Sequence, residues 1–272
     1  MTYMIKNFFQ NLNSSPVRYL VISGQASVIY GAATFSEDID LWVSPYEENW
    51  NILLKVLKKV DARVYKLTPP ITMEFIKKGH GFHFELNLNN KKSSPLFLDT
   101  LGSVPRVNSF EKAWQNAVYV ETDWGSIPVM GLRNLVEIKK TQRLGDYPVI
   151  SNLVRIEYEK HERSKIDSKT WKWILTNSYD IDDMIYFLKN HKSAYNIASS
   201  IYRPCMSYCL KAIDKSTRRE TYFKHASREI ALEIEEIRQS DREYWKPIIK
   251  ELKELNKKGQ LLPVGSTVPL IV

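Results

Sequence analysis

Cysteine is scarce: Cys205 and Cys209 are the only two in 272 residues. Two thiols four apart cannot build a disulfide-stapled scaffold. With no histidine cluster beside them, they do not make a zinc site either. The spacing puts both on one face of a helix, where they read as small buried hydrophobes in a reducing compartment. Long apolar runs are absent as well. No stretch reaches the roughly 18 residues of a membrane span. The first residues, MTYMIKNFFQNLNSSP, lack the apolar core of a secretory signal and read as a short amphipathic helix ending near Asn13–Pro16. No internal repeat or low-complexity tract interrupts the chain, so disorder over most of its length is not expected. A cytoplasmic protein without membrane contact is the expectation.

What the chain does have is an excess of positive charge. Lys and Arg number 39 against 31 Asp and Glu, a formal net charge of +8. Nucleotides, nucleic acid and anionic surfaces are the partners such a balance attracts. A merely basic, soluble surface gives the same count, and charge says nothing about fold. Hydrophobic residues at 43% are ordinary for a globular protein long enough to bury one large core or two modest ones.

The front of the chain alternates strand and helix signals. Tyr19–Ser23 is a short apolar run bounded by Gly24, as in a buried strand. Gln25–Tyr30 has helical composition and ends at Gly31, a suitable C-cap. Ile39–Val43 alternates apolar and polar residues. Trp50–Val60 carries apolar residues at helical spacing. Ile71–Ile76 and Phe82–Leu88 flank Lys78–Gly81 and predict a β-hairpin. Phe97–Leu101 is a further strand, Ser109–Asn116 a capped helix, and Ala117–Glu121 with Ser126–Val129 a second hairpin. Leu132–Thr141 is helical. Beyond residue 150 helical patterns take over, at Thr170–Lys189 and Ala194–Ile213. A stripe of Phe223, Ile230, Ile237 and Tyr244 follows, interrupted at Pro247, with Ser240 and Glu243 placed to restart a helix. The tail Leu261–Val272 is expected to lie extended against the body. Two domains are therefore expected: residues 1–150 with a sheet, and an all-helical 151–272.

The chemistry concentrates in residues 19–43. Residues i and i+2 of a strand share a face, so Asp38 and Asp40 converge, while Ile39, Leu41 and Val43 face the core. Converging carboxylates repel unless a cation or a proton lies between them. Their hard oxygens suit Mg²⁺ or Mn²⁺. Ser23-Gly24 occupies a strand-to-helix turn that lets phosphate approach backbone N–H groups. Asp99, in Phe97-Leu98-Asp99-Thr100-Leu101, is a charge in an apolar strand. It reads either as a strand-end acid facing water or as a third member of the acid set. His83 and Glu85 share a face, but His80 does not fit with them, and the three read as hairpin surface. Asp180, Asp182 and Asp183 read as a helix start, and Trp171 and Trp173 as core or interface.

A Gly turn, a helix, Gly31 and then Ser36-Glu37-Asp38-Ile39-Asp40-Leu41 resembles the nucleotidyltransferase superfamily, the polymerase-beta-like fold. The resemblance implies an α/β fold with a mixed sheet and flanking helices, followed here by the helical domain. It implies a transferase that moves a nucleoside monophosphate from a nucleoside triphosphate, such as ATP, to an acceptor hydroxyl. Asp38, Asp40 and Asp99 would be catalytic and hold one or two Mg²⁺ or Mn²⁺. Ser23, Gly24 and Ser36 would bind the nucleotide. Val104–Asn108, Phe110–Ala113, the strand pair to Val129 and the run Leu132–Lys139, Arg143, Asp146 look like one bacterial branch. That branch includes uncharacterised relatives and toxin-like proteins of the AbiEii kind. In it Lys139 or Lys140 would meet the triphosphate or the leaving pyrophosphate, and a cognate antitoxin would be a partner. Two positions depart from the pattern. Thr34 stands where many relatives carry Arg, and Val149 or Ile150 where a second Asp is usual. The acceptor is open: an RNA such as a tRNA end, a small hydroxylated compound such as an antibiotic, or a protein side chain. An inactive binding module is the third class. For the RNA reading, basic clusters at Lys211–Lys215–Arg218–Arg219 and Lys224–Arg228 are the candidate contacts. Nothing in residues 151–272 adds to the resemblance.

Overall fold

A computed structural model describes residues 2–86, 95–161, 165–214 and 218–271. Position 215 and the end of the strand expected over Phe82–Leu88 lie outside them, as does the last residue of the tail. The chain divides into two compact units, Met1–Ile138 with Glu243–Val272, and Lys139–Arg242.

The first unit is built on a seven-stranded mixed sheet of order β3-β4-β5-β2-β1-β7-β6. Its strands are β1 (Tyr19–Ile22), β2 (Asp38–Val43), β3 (Ala62–Val64), β4 (Gly81–Leu86), β5 (Leu96–Leu101), β6 (Val118–Thr122) and β7 (Gly125–Val129). β1 pairs antiparallel with β2, and β2 pairs parallel with β5. β4 lies antiparallel between β3 and β5. The four residues of β1 are all buried, as its uninterrupted apolar run requires. The helices of this unit begin with α1 (Thr2–Asn13), α2 (Ser23–Ile29), α3 (Glu47–Lys59) and α4 (Met73–Lys78). α5 (Phe110–Gln115) and α6 (Leu132–Lys139) follow.

Alternation sorts the residues of β4 and β5 between two faces. Phe82, Phe84, Leu86, Leu96 and Leu98 are buried, and the Phe82 ring meets Trp50 of α3 edge-on at 5.1 Å. His83, Glu85, Phe97 and Asp99 are half-buried on the other face. Burying one Phe or Leu contributes about 1.5–3 kcal/mol, so the helix-covered face fixes register, and the opposite face is left for chemistry.

One expected hairpin is absent. Ile71–Ile76 is not a strand: α4 occupies residues 73–78, its N-cap Thr72 accepts from the Phe75 N–H, and Gly79 closes it at φ +88°. A short apolar run carries too few residues to distinguish strand from helix, and the caps decide. The second hairpin, β6–β7, forms as expected. So do the Ser109 cap on α5 and the left-handed Gly31 after α2. The tail runs extended along the unit's edge, with Val64 donating to Ser266 and Leu262 to Thr68.

The second unit holds helices and no strand among its described residues. It holds α7 (Asp146–Glu159), α8 (Ser168–Asn177), α9 (Ile181–Asn190), α10 (Lys192–Ala198) and α11 (Pro204–Asp214). Thr170–Lys189 is thus two helices, because Asp180 caps α9 by accepting from the Asp183 N–H. Ala194–Ile213 is also two, since Pro204 opens a new helix, its favoured position. Trp171 and Phe187 are fully buried at its core, with Tyr158 beside them. α12 (Arg219–Lys257) contributes residues to both units and runs through Pro247 without a restart at Ser240. The proline costs about 3 kcal/mol in a helix interior. The helix is anchored on both sides of it, through buried Asp241, which accepts from the Gln142 N–H, and through Glu251, paired with Lys78 and His80. No helix among the described residues is long and apolar enough to cross a membrane.

Candidate metal and nucleotide site

Asp38 and Asp40 are the first and third residues of β2, both half-buried, with Ile39 and Leu41 buried between and beyond them. The parallel register sets Asp38 opposite Phe97 and Asp40 opposite Asp99. Each of the three acids offers a carboxylate oxygen, and these oxygens lie within 4.8 Å of one another. Three carboxylates this close repel in water unless a cation offsets them. The set is all oxygen, which is what a hard divalent ion takes.

The Ser23–Gly24 turn joins the same site. Register Ile22 to Asp40 carries it to the end of β2 where Asp38 stands. Ser23 holds a left-handed φ of 55°, unusual for a residue with a side chain. Gly24 lies against Ser36: a Cβ on Gly24 would stand 2.4 Å from Ser36 Oγ. Ser36 Oγ in turn donates to the Asp38 carbonyl at 3.1 Å. Ser23, Gly24 and Ser36 are therefore neighbours at the rim of the acid cluster, and the glycine is needed for that approach.

Two side chains that the sequence did not assign to the site stand at the cluster. His83 of β4 is opposite Asp99 in the antiparallel ladder, and its Nδ1 is 2.8 Å from Asp99 Oδ1. The two atoms are buried, and neither has an aligned hydrogen-bond partner among the described residues, so this is a close polar contact rather than a hydrogen bond. Lys66 Nζ is 3.8 Å from Asp99 Oδ2 and 5.4 Å from the Tyr65 ring centre. Tyr65 stacks on Phe97 at 4.2 Å. The expectation that His80, His83 and Glu85 are hairpin surface is corrected here for the two histidines. His80 is buried with Nε2 2.8 Å from Glu251 Oε2, whereas His83 faces the acids. The alternation of β4 carried the signal for His83; the identity of the neighbouring strand did not appear in it.

Lys139 and Lys140 open the second unit. Lys139 is buried, and its Nζ donates to Asp146 Oδ1 at 2.9 Å. Asp146 also accepts from Thr141 at 2.5 Å and from Arg143 Nε at 3.0 Å. Burial pushes the Asp146 carboxyl up, but Lys139, Thr141 and Arg143 together outweigh it and hold the group below the ordinary carboxylate value. Lys140 is half-buried. Of the basic residues proposed for RNA, Lys211, Arg218, Arg219, Lys224 and Arg228 are exposed, and Lys224 pairs with Glu220 at 2.9 Å. Cys205 and Cys209 are free and buried on α11.

No family model matches the chain, and no curated protein does. Among solved structures the chain is similar to an antigenic nucleotidyltransferase-like protein from Paracoccidioides brasiliensis. The identity is 13%, 76% of this chain and 90% of that chain are covered, and the TM-score is 0.35.

Proposed function

We propose that the chain is a metal-dependent nucleotidyltransferase and that Asp38, Asp40 and Asp99 are its catalytic centre. The observation that carries this reading is the convergence of three carboxylates from two parallel strands beside a glycine turn. A divalent ion, Mg²⁺ or Mn²⁺, held by the three acids supplies charge neutralisation at the α-phosphate and the leaving oxygens.

The chain's own groups divide the remaining work. Asp38 and Asp40 hold the ion from a rigid strand, where their spacing cannot drift. Asp99 completes the set, orients the acceptor hydroxyl and takes its proton. The acceptor oxygen forms a bond to the α-phosphorus, the bond from that phosphorus to the bridging oxygen breaks, and pyrophosphate leaves with the bond's electrons. Ser23, Gly24 and Ser36 hold the triphosphate through backbone N–H and hydroxyl donors. The assignment of Lys139 and Lys140 to phosphate rests on the sequence resemblance alone, as does a cognate antitoxin as partner. We assign the transfer chemistry to residues 1–150 and acceptor recognition to the helical 151–272. The acceptor favoured by the exposed cations of the helical unit is RNA, a tRNA end among the candidates.

The test is incubation of the purified chain with each α-labelled nucleoside triphosphate, Mg²⁺ or Mn²⁺, and total RNA, beside Asp40→Asn. Label transferred to RNA by the wild type alone supports the reading. Transfer to an added aminoglycoside-like compound or to protein, and not to RNA, keeps the chemistry and changes the acceptor. Nucleotide binding with no transfer to any acceptor gives the site to a non-catalytic binding module.

A further inference from the structure

We propose that the start of α12 and the adjoining part of α11 form a binding surface for single-stranded nucleic acid, on which a base stacks against His225 and phosphates meet Arg228 and its neighbours. The surface stands on its own geometry; that its ligand is the acceptor rests on the RNA reading above.

Charge is segregated along this stretch. Residues 218–228 carry four Lys and Arg against one Glu, and residues 229–236 carry four Glu and no Lys or Arg. Within the basic stretch, Glu220 is taken up by Lys224 at 2.9 Å. Arg218, Arg219 and Arg228 are exposed and have no anionic partner among the described residues. Every other described arginine of the second unit pairs with a carboxylate. Lys211 of α11 is also exposed without an acid, and its Nζ stands over the Tyr208 ring at 5.4 Å. Unpaired cations gathered at one end of a helix attract a polyanion.

An aromatic pair narrows the kind of polyanion. Tyr208 and His225 stack with ring centres 5.1 Å apart and planes 21° apart. Tyr208 is half-buried and His225 is exposed, so the tyrosine backs the imidazole and leaves its other face open. No other ring, ion pair or hydrogen bond engages the His225 side chain among the described residues. Arg228 follows His225 by three residues and so stands beside it on the helix surface. An open ring flanked by cations suits a single strand, whose bases stack on the ring while its backbone runs along the cations. A duplex keeps its bases stacked on one another and offers the ring no face. A polycationic acceptor is repelled by the same residues.

The experiment measures fluorescence anisotropy of a labelled RNA of about twelve nucleotides, alone or annealed to its complement, with the full chain, no nucleoside triphosphate and a series of salt concentrations. The single strand should bind at least about tenfold more tightly than the duplex. His225→Ala should weaken binding at least about fivefold with the salt slope unchanged, and His225→Phe should restore it. Arg228→Gln should lower the slope of log affinity against log salt by about 0.7. Equal affinity for strand and duplex, no loss in His225→Ala, or an unchanged slope in Arg228→Gln overturns the surface. Binding to phosphatidylserine vesicles and not to RNA does the same. Nucleotide transfer to RNA that neither substitution affects overturns the surface and leaves the acceptor reading standing. Ring-dependent binding of RNA to which nothing is transferred supports the surface and overturns that reading.

Discussion

Asp40 stands directly opposite Asp99 across two parallel strands. Two carboxylates so placed repel one another. In the apo protein Asp40→Asn should therefore keep the fold and unfold at the same or a higher temperature than wild type, because it removes repulsion at constant volume. Thermal melts with and without Mn²⁺ check this. The wild type should gain stability with the ion, and the variant should not. A variant that still gains as much as wild type would remove Asp40 from the ligand set.

The Gly24–Ser36 approach makes a second, independent prediction. Gly24→Ala places a methyl 2.4 Å from Ser36 Oγ and 3.2 Å from its Cβ. Overpacking of this kind costs about 1–3 kcal/mol. Ser36→Gly in the same chain removes both atoms and should recover most of the loss. Denaturant midpoints of the two single variants and the double variant measure the coupling; strictly additive effects would show that the two residues are not in contact.

Asp146→Asn leaves Lys139 buried without its anion. Breaking a buried pair from one side costs about 3–5 kcal/mol, so the variant should be strongly destabilised at neutral pH. The sign with pH follows from the depressed Asp146 carboxyl. Its stabilisation is present above the unfolded value and is lost as pH falls through the lower, folded one. The gap between wild type and variant should hold from pH 7 down to about pH 4 and close below it, which unfolding curves at several pH values read directly.

The two thiols should be chemically silent in the folded protein. Burial pushes Cys205 up to about 11 and Cys209 up to about 12, so the thiolate that reacts is scarce at pH 8. A colorimetric disulfide reagent should label neither until denaturant is added, and then both. The raised values also fix a sign. Above the ordinary thiol value of 9.0 the unfolded chain loses its protons first, so stability falls as pH rises toward 11.

An RNA acceptor predicts affinity that declines steeply with salt, since several Lys and Arg release counterions on binding. Binding of tRNA between about 50 and 200 mM salt, with Lys211→Glu and Arg228→Glu beside wild type, is the measurement. Weak binding at every concentration, or indifference to both substitutions, would favour a small acceptor.

Asp38 and Asp40 were legible in the sequence because their relation is local: strand alternation alone puts them on one side. Asp99 needed the resemblance as well, since one acid in an apolar strand has two readings. His83 was not legible. Its partner is set by the pairing of β4 with β5, a relation between strands that local spacing does not carry. α4 was misread although Thr72 and Gly79 flank it as caps, because a short apolar run satisfies strand and helix patterns alike. The break between α8 and α9 was half legible: the acids at Asp180–Asp183 announced a helix start inside a stretch whose apolar spacing suggested continuity. Pro247 misled in the opposite direction, since anchoring on each side of it outweighs one missing hydrogen bond.

Parallel strands cannot be joined by a tight turn. Between Asp40 and Asp99 the chain must complete α3, β3, α4 and β4 before β5 can lie along β2. Such non-local pairing comes late and slowly in folding. A nascent chain that has left the ribosome only as far as β4 carries two of the acids and no centre. An ion held by all three acids would be bound by the finished sheet alone, and its mass action would draw the folding equilibrium toward that sheet.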